Sequence, residues 1–488
     1  MAGIGFELKK LFSKKGIFAL IRAYGYAGVV CTGSMLLGMV LLLGIQAIAK
    51  YGGVAKAEQE FLVCLITYTL LASLLITNFL SMVTTRYAAD MLYMKEDSRI
   101  MPSFYGSLAI MLSIGGLLYG IFLLVSGVEV EYKLCCFVLF MELVVVWTQI
   151  NYLTAVKDYK GILLTFLVSV GCALAVGYVL VMLGAPAIIS LLLSVILAYG
   201  IMMVWYYCLL ISFFPKGKGN PFDFLRWIDK YPQLIGIGSF IGIGLFIHLV
   251  LMWASPIGVQ VKGLFYGAPG YDVPALFAFL SILITTINFV TSVEVNFYPK
   301  YKIYFGMFNY GGSLIDIERA EEEMIRTLEK ELSYTFAKQF FTTIVFIVGG
   351  TLIIPKLPFG FTEEMLGIYR VLCVGYAFYA AGNCIMLMSL YFADNNGALL
   401  STGIYALCSV AGTMLSIVGD SRYYGFGFLL AGIVFTGVAL LRLILFTRRL
   451  SYHVISTQPL TEIKVSGFAT RISNRLEEGY CEKKKTRK

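Results

Sequence analysis

The chain has 488 residues, of which 59% are hydrophobic and 14% are charged, and its mean hydropathy is +0.82. A soluble globular domain is about 45–50% apolar and about 25% charged. The composition therefore excludes a water-soluble fold, a disordered chain and a nucleic-acid-binding domain, and it indicates a polytopic membrane protein. The net charge of +9 is then interpreted as the positive-inside bias of such a protein.

Twelve apolar stretches follow one another along the chain, separated by short polar turns. Each is long enough to cross a bilayer, which takes about 20 apolar residues. The predicted fold is therefore all-α, with about twelve transmembrane helices. The predicted spans are residues 23–49, 60–84, 104–126, 133–156, 161–183, 186–213, 232–253, 273–297, 334–354, 366–392, 397–419 and 424–447.

The distribution of basic residues predicts the orientation of these spans. If the N-terminus is cytoplasmic, 31 of the 38 Lys and Arg lie on the cytoplasmic side and 7 on the outer side. Such a split favours an even number of spans with both termini inside the cell.

Three segments outside the spans are long enough to form structure in the cytoplasm. Residues 1–22 mix apolar side chains with lysines and predict an interfacial amphipathic helix. Residues 314–333 place Met324 and Leu328 among many Glu, which predicts an acidic amphipathic helix. This helix is either a solvated connector or a docking face for a cytosolic partner. The tail from residue 448 is basic and is expected to contact anionic lipids.

Two spans that lie six apart carry a similar pattern. Asn78-Phe79-Leu80-Ser81-Met82-Val83 in the second span matches Asn288-Phe289-Val290-Thr291-Ser292-Val293 in the eighth, and Gly28 matches Gly238 at the same offset. This repeat predicts two parallel six-helix lobes that face each other across a central cleft. The predicted domains are the interfacial helix 1–22, an N-terminal lobe 23–213, a cytoplasmic linker 214–231, a C-terminal lobe 232–447 with helix 314–333 inserted, and a basic tail 448–488.

Polar side chains within the spans are the candidate functional residues, because polar groups are costly in lipid. They are candidates for contacts with sugar hydroxyls or with a coupling cation or proton. The alternative for each is a structural hydrogen bond to a neighbouring helix. Polar stripes run along the second span (Asn78, Ser81, Thr85) and the eighth (Thr285, Asn288, Ser292, Asn296), and the other candidates are Glu142, Gln149, His248 and Glu294.

Three basic residues lie at the predicted cytoplasmic ends of spans: Arg22, Arg86 and Lys300. They are candidates for attracting an anionic lipid-linked phosphate. Positive-inside placement explains them nearly as well, and Asp90 is positioned to pair with Arg86 one helical turn away.

Motifs of enzymes and metal sites do not occur in this sequence. It has no GxSxG, HExxH or Walker loop, and no CxxC. The two histidines, His248 and His453, are too far apart in sequence to form a recognisable metal motif. We therefore expect no enzymatic activity, no metal and no cofactor.

Several segments resemble the PelG family, the inner-membrane transport component of Pel exopolysaccharide biosynthesis. They are Met1-Ala-Gly-Ile-Gly-Phe-Glu-Leu-Lys-Lys-Leu, Arg22-Ala-Tyr-Gly-Tyr-Ala-Gly28, Arg86-Tyr-Ala-Ala-Asp90 and Tyr391-Phe-Ala-Asp-Asn-Asn-Gly-Ala398. The resemblance extends over essentially the whole chain. It implies the fold of the MOP flippase superfamily, which includes MATE antiporters, with a cavity lined mainly by the first, second, seventh and eighth helices.

The resemblance also implies a function and partners. The expected function is export of a galactosamine-type polysaccharide, or of its lipid-linked precursor, across the bacterial cytoplasmic membrane for a biofilm matrix. The expected partners are membrane lipids, the glycan, a cytosolic glycosyltransferase and membrane subunits that sense cyclic-di-GMP. Two other hypotheses stay open from the sequence: an ion-coupled small-molecule antiporter of the MATE type, and a non-transporting scaffold for a glycosyltransferase.

Overall fold

A computed structural model describes residues 38–156, 159–214, 217, 219–356, 361–456 and 467–485. The predicted interfacial helix 1–22, residues 23–37 of the first predicted span, Gly28 and Arg22 lie outside these described residues.

The described chain is almost entirely helical. The helices of its first half are α1 (Gly38–Tyr51), α2 (Lys56–Met94), α3 (Ile100–Val125), α4 (Val130–Val156), α5 (Tyr159–Met182), α6 (Ala187–Phe213), α7 (Leu225–Lys230) and α8 (Gln233–Trp253). Two short strands follow, β1 (Val259–Lys262) and β2 (Phe265–Gly267). The second half contains α9 (Pro269–Phe279), α10 (Leu283–Ser292), a π-helical turn (Val293–Phe297), α11 (Tyr298–Tyr310), α12 (Leu314–Ile353), α13 (Glu363–Tyr391), α14 (Asn395–Val418), α15 (Phe426–Thr447), α16 (Leu450–Ser456) and α17 (Phe468–Lys485).

Among the described residues, 11 helical stretches are long and apolar enough to cross a membrane, and Gly38–Tyr51 is a shorter apolar helix. The shorter helix is the described part of the first predicted span. The spans predicted from hydropathy therefore all coincide with helices where the structure describes them.

The chain divides into two compact units. The N-terminal unit contains the described residues 38–246, 258–267 and 467–485, and the C-terminal unit contains 247–257 and 268–456. Each unit takes most of its residues from one half of the chain. The exceptions are the strands β1 and β2 and the helix α17, which belong to the N-terminal unit although they follow it in sequence.

One long helix replaces two predicted elements in the C-terminal unit. The acidic segment 314–333 and the span 334–354 form the single 40-residue helix α12, about 60 Å long at 1.5 Å per residue. Gly311 ends α11 with a left-handed φ of 86°, and the Ser313 hydroxyl caps α12 by accepting a hydrogen bond from the Asp316 amide. The buried face of the acidic segment continues directly into the buried face of the span.

The apolar core explains why the acidic segment of α12 stays helical. Its buried residues Met324 and Leu328 join a cluster with Tyr304 of α11 and Leu443 of α15. This packing stabilises a helix that intrinsic propensity alone would leave marginal. The acidic residues lie on the remaining faces of the helix.

Among the described residues, the strands β1 and β2 depart from the helical pattern that hydropathy predicts. They form an antiparallel hairpin in the loop between the predicted spans 232–253 and 273–297, with Val259 opposite Gly267. The hairpin packs within the N-terminal unit, where Phe265 is fully buried.

Candidate functional site

The polar stripe of the eighth predicted span faces a second polar stripe on α12. Thr285 hydrogen-bonds Gln339, and the Gln339 amide in turn donates to the Thr343 hydroxyl at 3.0 Å. The Lys338 ammonium donates to the side-chain oxygen Oδ1 of Asn288 at 2.9 Å and lies 4.1 Å from the centre of the Tyr334 ring. These contacts bring a cation and several neutral polar groups together within membrane-spanning helices.

The same stripe continues toward α11. The Ser292 hydroxyl hydrogen-bonds the Glu331 carboxylate, and Asn296 Nδ2 donates to Glu331 Oε1 at 2.9 Å. Lys300 Nζ then pairs with Glu323 Oε2 at 2.6 Å. As the residue numbers rise on one side they fall on the other, so the two helical segments run antiparallel. We call this set of contacts, from Thr285–Gln339 to Lys300–Glu323, the polar seam.

A π-helical turn lies inside the polar seam. Val293–Phe297 has π-helical hydrogen bonding between α10 and α11 and contains Glu294 and Asn296. Such turns interrupt the 3.6-residue register and are frequent at functional sites. The interruption leaves Asn296 exposed and Glu294 half-buried, while Val293 and Phe297 remain in the core.

In the N-terminal unit, the second predicted span packs closely against α8 at two glycines of α8, Gly238 and Gly242. A Cβ atom at Gly238 would lie 2.5 Å from the Asn78 backbone oxygen, and one at Gly242 would lie 2.8 Å from Asn78 Nδ2. Glycine at both positions therefore allows the close contact between α2 and α8. The Ser81 hydroxyl donates to the Asn78 backbone oxygen at 3.2 Å, and Thr85 is half-buried on the same helix.

Glu142 and Gln149 lie on the face of α4 that contacts α6. A Cβ atom at Gly200 would be 3.3 Å from Glu142 Oε1, and Gln149 Nε2 donates to the Met203 backbone oxygen at 2.9 Å. Within the described part of the chain, Glu142 Oε2 and Gln149 Oε1 are buried without a hydrogen-bond partner. Both side chains belong to the N-terminal unit, whereas the polar seam lies within the C-terminal unit.

His248 lies in an aromatic cluster of the C-terminal unit. Its Nδ1 is 2.9 Å from the Tyr271 hydroxyl, its Nε2 is 3.5 Å from the Tyr376 hydroxyl, and its ring centre is 4.2 Å from that of Phe428. The imidazole is fully buried. These contacts are of the kind expected if His248 serves a structural role by hydrogen bonding to neighbouring helices.

The described basic candidates already have partners. Arg86 pairs with Asp90 at 3.2 Å, as the spacing predicts, and its guanidinium carbon lies 5.2 Å from the centre of the Tyr231 ring. Lys300 is bound by Glu323 in the polar seam. Either residue would need to exchange a partner to bind an anionic phosphate.

Sequence reasoning missed several residues that complete these arrangements. The sequence places Lys338 only among the cytoplasmic basic residues and Glu331 only among the glutamates of segment 314–333, although both are hydrogen-bond partners of the eighth-span stripe. Their positions seven residues apart on one helical face are the signal that could have found them. Asp394 and Arg442 were also missed, and they form a bidentate ion pair with distances of 2.8 and 2.9 Å.

The fold is that of a known class of membrane transporter. A MATE transporter solved in its straight conformation has a TM-score of 0.60 at 12% identity, over 88% of this chain and 96% of that one. An outward-facing multidrug resistance MATE transporter of the MOP superfamily gives 0.58 at 14% identity, over 88% and 97%. A MOP superfamily transporter from Pyrococcus furiosus, described as having a binding pocket of reverse polarity, gives 0.57 at 13% identity, over 87% and 96%. The predicted all-α fold of about twelve transmembrane helices is confirmed as MATE-like.

The sequence identifies the family within this class. The family model PelG, an exopolysaccharide exporter (EPS-E), matches residues 1–455, and no curated protein sequence matches the chain significantly. The chain belongs to the PelG family. It is a multi-pass membrane transporter that exports polysaccharide and is not an enzyme, which confirms the resemblance and the expected export of a polysaccharide. Its partners include membrane lipids and the polysaccharide substrate.

Proposed function

We propose that the polar seam forms part of the path along which this transporter moves a Pel-type exopolysaccharide, or its lipid-linked precursor, out of the cytoplasm. The observation that supports this proposal is the π-helical turn Val293–Phe297 inside a row of polar side chains. Sugars carry many hydroxyl groups, and removing them from water is costly unless hydrogen bonds replace the hydration. Amide, hydroxyl, carboxylate and ammonium groups of the seam supply both donors and acceptors for that replacement.

The proposed path uses Glu294 and Asn296 first, with Asn288 and Ser292 behind them. Asn296 is exposed, whereas Asn288 and Ser292 are buried and already bonded to Lys338 and Glu331. A passing sugar hydroxyl would replace one of these existing hydrogen bonds with a hydrogen bond of its own. The N-terminal candidates Asn78, Ser81, Thr85, Glu142 and Gln149 belong to the proposal as a second set, as does His248 in the C-terminal unit.

The proposed setting is the bacterial cytoplasmic membrane with both termini inside the cell. The 31-to-7 division of Lys and Arg supports this orientation. Segment 1–22 is then an interfacial helix, 23–213 and 232–447 are the two lobes, 214–231 is a cytoplasmic linker, and 448–488 is a cytoplasmic tail. The acidic part of α12 and the tail helix α17 would be available to a cytosolic glycosyltransferase and to subunits that sense cyclic-di-GMP.

The test of the path is Glu294→Gln, which removes the charge and keeps the shape. We expect secreted aminosugar polymer to fall about tenfold, because a hydrogen bond from a sugar hydroxyl to a charged carboxylate contributes about 1.5 kcal/mol, and about 1.4 kcal/mol changes a rate tenfold. The matched control is Glu60→Gln, because Glu60 lies outside the proposed path and the acidic segment and pairs one turn away with Lys56 at 3.8 Å. Normal export by Glu294→Gln, at normal protein level, would remove Glu294 from the path.

The direction of transport is tested by deleting the gene and measuring polymer inside and outside the cell. Loss outside with polymer or lipid-linked sugar retained inside supports export. Loss on both sides would favour a scaffold for the glycosyltransferase. Unchanged secretion would oppose the proposal and favour an antiporter, which should then show proton- or sodium-dependent efflux from proteoliposomes.

A further inference from the structure

A carboxylate oxygen near the middle of α4 is buried without a partner among the described residues. Glu142 belongs to α4, which runs from Val130 to Val156, so at 1.5 Å per residue it lies about 18 Å from one end of the helix and about 21 Å from the other. Its Oε2 atom is buried and has no hydrogen-bond partner within the described chain. A carboxylate at this depth in a membrane-spanning helix is costly and is a candidate for function.

The helices that pack against α4 offer no cation to Glu142. These helices are α2, α3, α5 and α6. Among the residues that the structure describes, α3 and α6 contain no Lys, Arg or His, and neither does α2 between Tyr68 and Arg86 or α5 after residue 160. An ionised Glu142 would therefore lack a counter-ion at this level of the N-terminal unit.

The titratable side chains near the middle of these helices carry no positive charge. They are Tyr199 on α6, Tyr119 on α3, Cys172 on α5 and Cys136 on α4 itself. Tyrosine and cysteine are ordinarily neutral at pH 7, so these side chains do not compensate a carboxylate charge. An isolated buried carboxylate takes up a proton instead, because neutralisation avoids most of the cost of removing the charge from water.

The contact between α4 and α6 leaves room for a proton but not for a larger ligand. A Cβ atom at Gly200 would lie 3.3 Å from Glu142 Oε1, so a single carbon atom there already makes a tight contact. A sugar ring does not fit on this side of the carboxylate. A metal ion such as Ca²⁺ takes 6–8 oxygen ligands, and Gln149, the next polar side chain on this face of α4, lies about 10 Å further along the helix.

Gln149 supplies a second buried acceptor on the same face. It is 1% exposed, and its Nε2 donates to the Met203 backbone oxygen at 2.9 Å, which leaves its Oε1 without a donor in the described chain. An amide oxygen accepts a hydrogen bond from water or from a hydronium ion. Gln149 is therefore placed to bind a proton-carrying water between Glu142 and the end of α4 at Val156.

We propose that Glu142 is a proton-binding site of this transporter, with a proton bound in this conformation and Gln149 as the first acceptor on the route by which that proton exchanges with water. This inference rests on the proposed function, which includes both residues in its second set, and it gives Glu142 a role other than contact with sugar. The proton is taken from water and returned to water, so the step needs no oxidant, reductant or cofactor. Movement of this proton down its gradient supplies free energy for export.

Carbodiimide labelling of the purified full-length protein in detergent tests the proton site. Dicyclohexylcarbodiimide is apolar and adds to protonated carboxyl groups in apolar surroundings, and mass spectrometry of peptides locates the adduct. We expect an adduct on Glu142 at neutral pH and severalfold less of it at alkaline pH. The matched control is Glu129, just before α4, because the hydrogen bond from Lys262 holds the pKa of Glu129 below its ordinary value and keeps this carboxylate ionised.

Two results of the labelling would overturn the proposal. One is the absence of an adduct on Glu142 at any pH at which the protein stays monodisperse. The other is labelling that sodium ions suppress at constant pH, which would assign the site to a metal ion.

Glu142→Gln tests whether export uses the proton. Glutamine keeps the shape and still forms hydrogen bonds with a sugar hydroxyl, but it cannot bind and release a proton. We expect secreted aminosugar polymer to fall about tenfold at normal protein level, which corresponds to about 1.4 kcal/mol at the transport barrier. Glu142→Asp, which keeps a carboxyl group, should retain more export than Glu142→Gln, and Glu129→Gln should export normally. Normal export by Glu142→Gln would refute the use of this proton in export.

The two measurements separate failure of this inference from failure of the proposed function. Labelling needs no substrate, so an unlabelled Glu142 refutes the proton site whatever the protein exports. If deletion of the gene leaves polymer secretion unchanged, the proposed function fails, while pH-dependent labelling of Glu142 still supports the proton site.

Discussion

Asp394→Asn is expected to destabilise the C-terminal unit by removing half of a nearly buried ion pair. Asp394 is 4% exposed and binds Arg442 through both carboxylate oxygens, at 2.8 and 2.9 Å. The Asp394 carboxylate also caps α14 by accepting a hydrogen bond from the Gly397 amide at 3.0 Å. Asparagine is an equally good N-cap, so this substitution removes the charge while it preserves the cap.

The magnitude follows from the burial of the two partners. Breaking a fully buried ion pair costs about 3–5 kcal/mol, but the Arg442 side chain is 37% exposed, so water screens part of the lost interaction. We therefore expect a loss of about 2 kcal/mol. At about 2 °C per kcal/mol for a unit of roughly 200 residues, this lowers the apparent melting temperature by about 4 °C.

The assay is the loss of monodisperse protein on heating in detergent, followed by size-exclusion chromatography. The matched control is Asp420→Asn, because Asp420 forms an exposed pair with Arg422 at 3.7 Å and should change the midpoint by less than 1 °C. Equal midpoints for Asp394→Asn and the control would refute the reasoning that burial makes the Asp394–Arg442 pair important.

Two further predictions concern the tail helix and a helix crossing. Desolvation raises the pKa of Asp229. Hydrogen bonds from the Thr470 hydroxyl and from the Thr470 and Ala469 amides outweigh this effect and hold the pKa of Asp229 below its ordinary value. The stabilisation of α17 by Asp229 is therefore complete above about 3.9, the pKa of Asp in an unfolded chain. It weakens as the pH falls through the lower pKa that Asp229 has in the folded protein. Asp229→Asn should accordingly speed amide hydrogen exchange in 467–477 at pH 7. Gly427→Ala should destabilise the protein by about 1–3 kcal/mol, because the alanine Cβ atom would lie 2.3 Å from the Gly412 backbone oxygen. The control Gly437→Ala should not destabilise it, because a Cβ atom at Gly437 has no atom within 4 Å.

Each of these two predictions has a result that contradicts it. Exchange in 467–477 that is independent of both pH and Asp229→Asn, after correction for the intrinsic rate, would exclude the Asp229 carboxylate as the group that holds α17 in place. Equal thermal midpoints for Gly427→Ala and Gly437→Ala would show that α14 and α15 separate at no measurable cost.

The positions of the membrane-spanning helices follow from the sequence because burial in lipid acts on each segment separately. About 20 apolar residues satisfy a bilayer, whatever the neighbouring helices are. Local signals also anticipate some helix ends, as Gly311 and Ser313 show at the turn between α11 and α12. The Arg86–Asp90 pair is predicted for the same reason, since the two residues lie one helical turn apart.

The partners of the polar side chains were decided only by the tertiary structure. The stripe of the eighth predicted span is visible in the sequence, but whether Asn288 meets water or Lys338 depends on a residue 50 positions away. The π-helical turn at Glu294 and the packing of Phe265 against Tyr68 likewise have no local signature. Hydropathy measures each residue against lipid, whereas these features arise from contacts between segments that are distant in sequence, and only the folded chain brings those segments together.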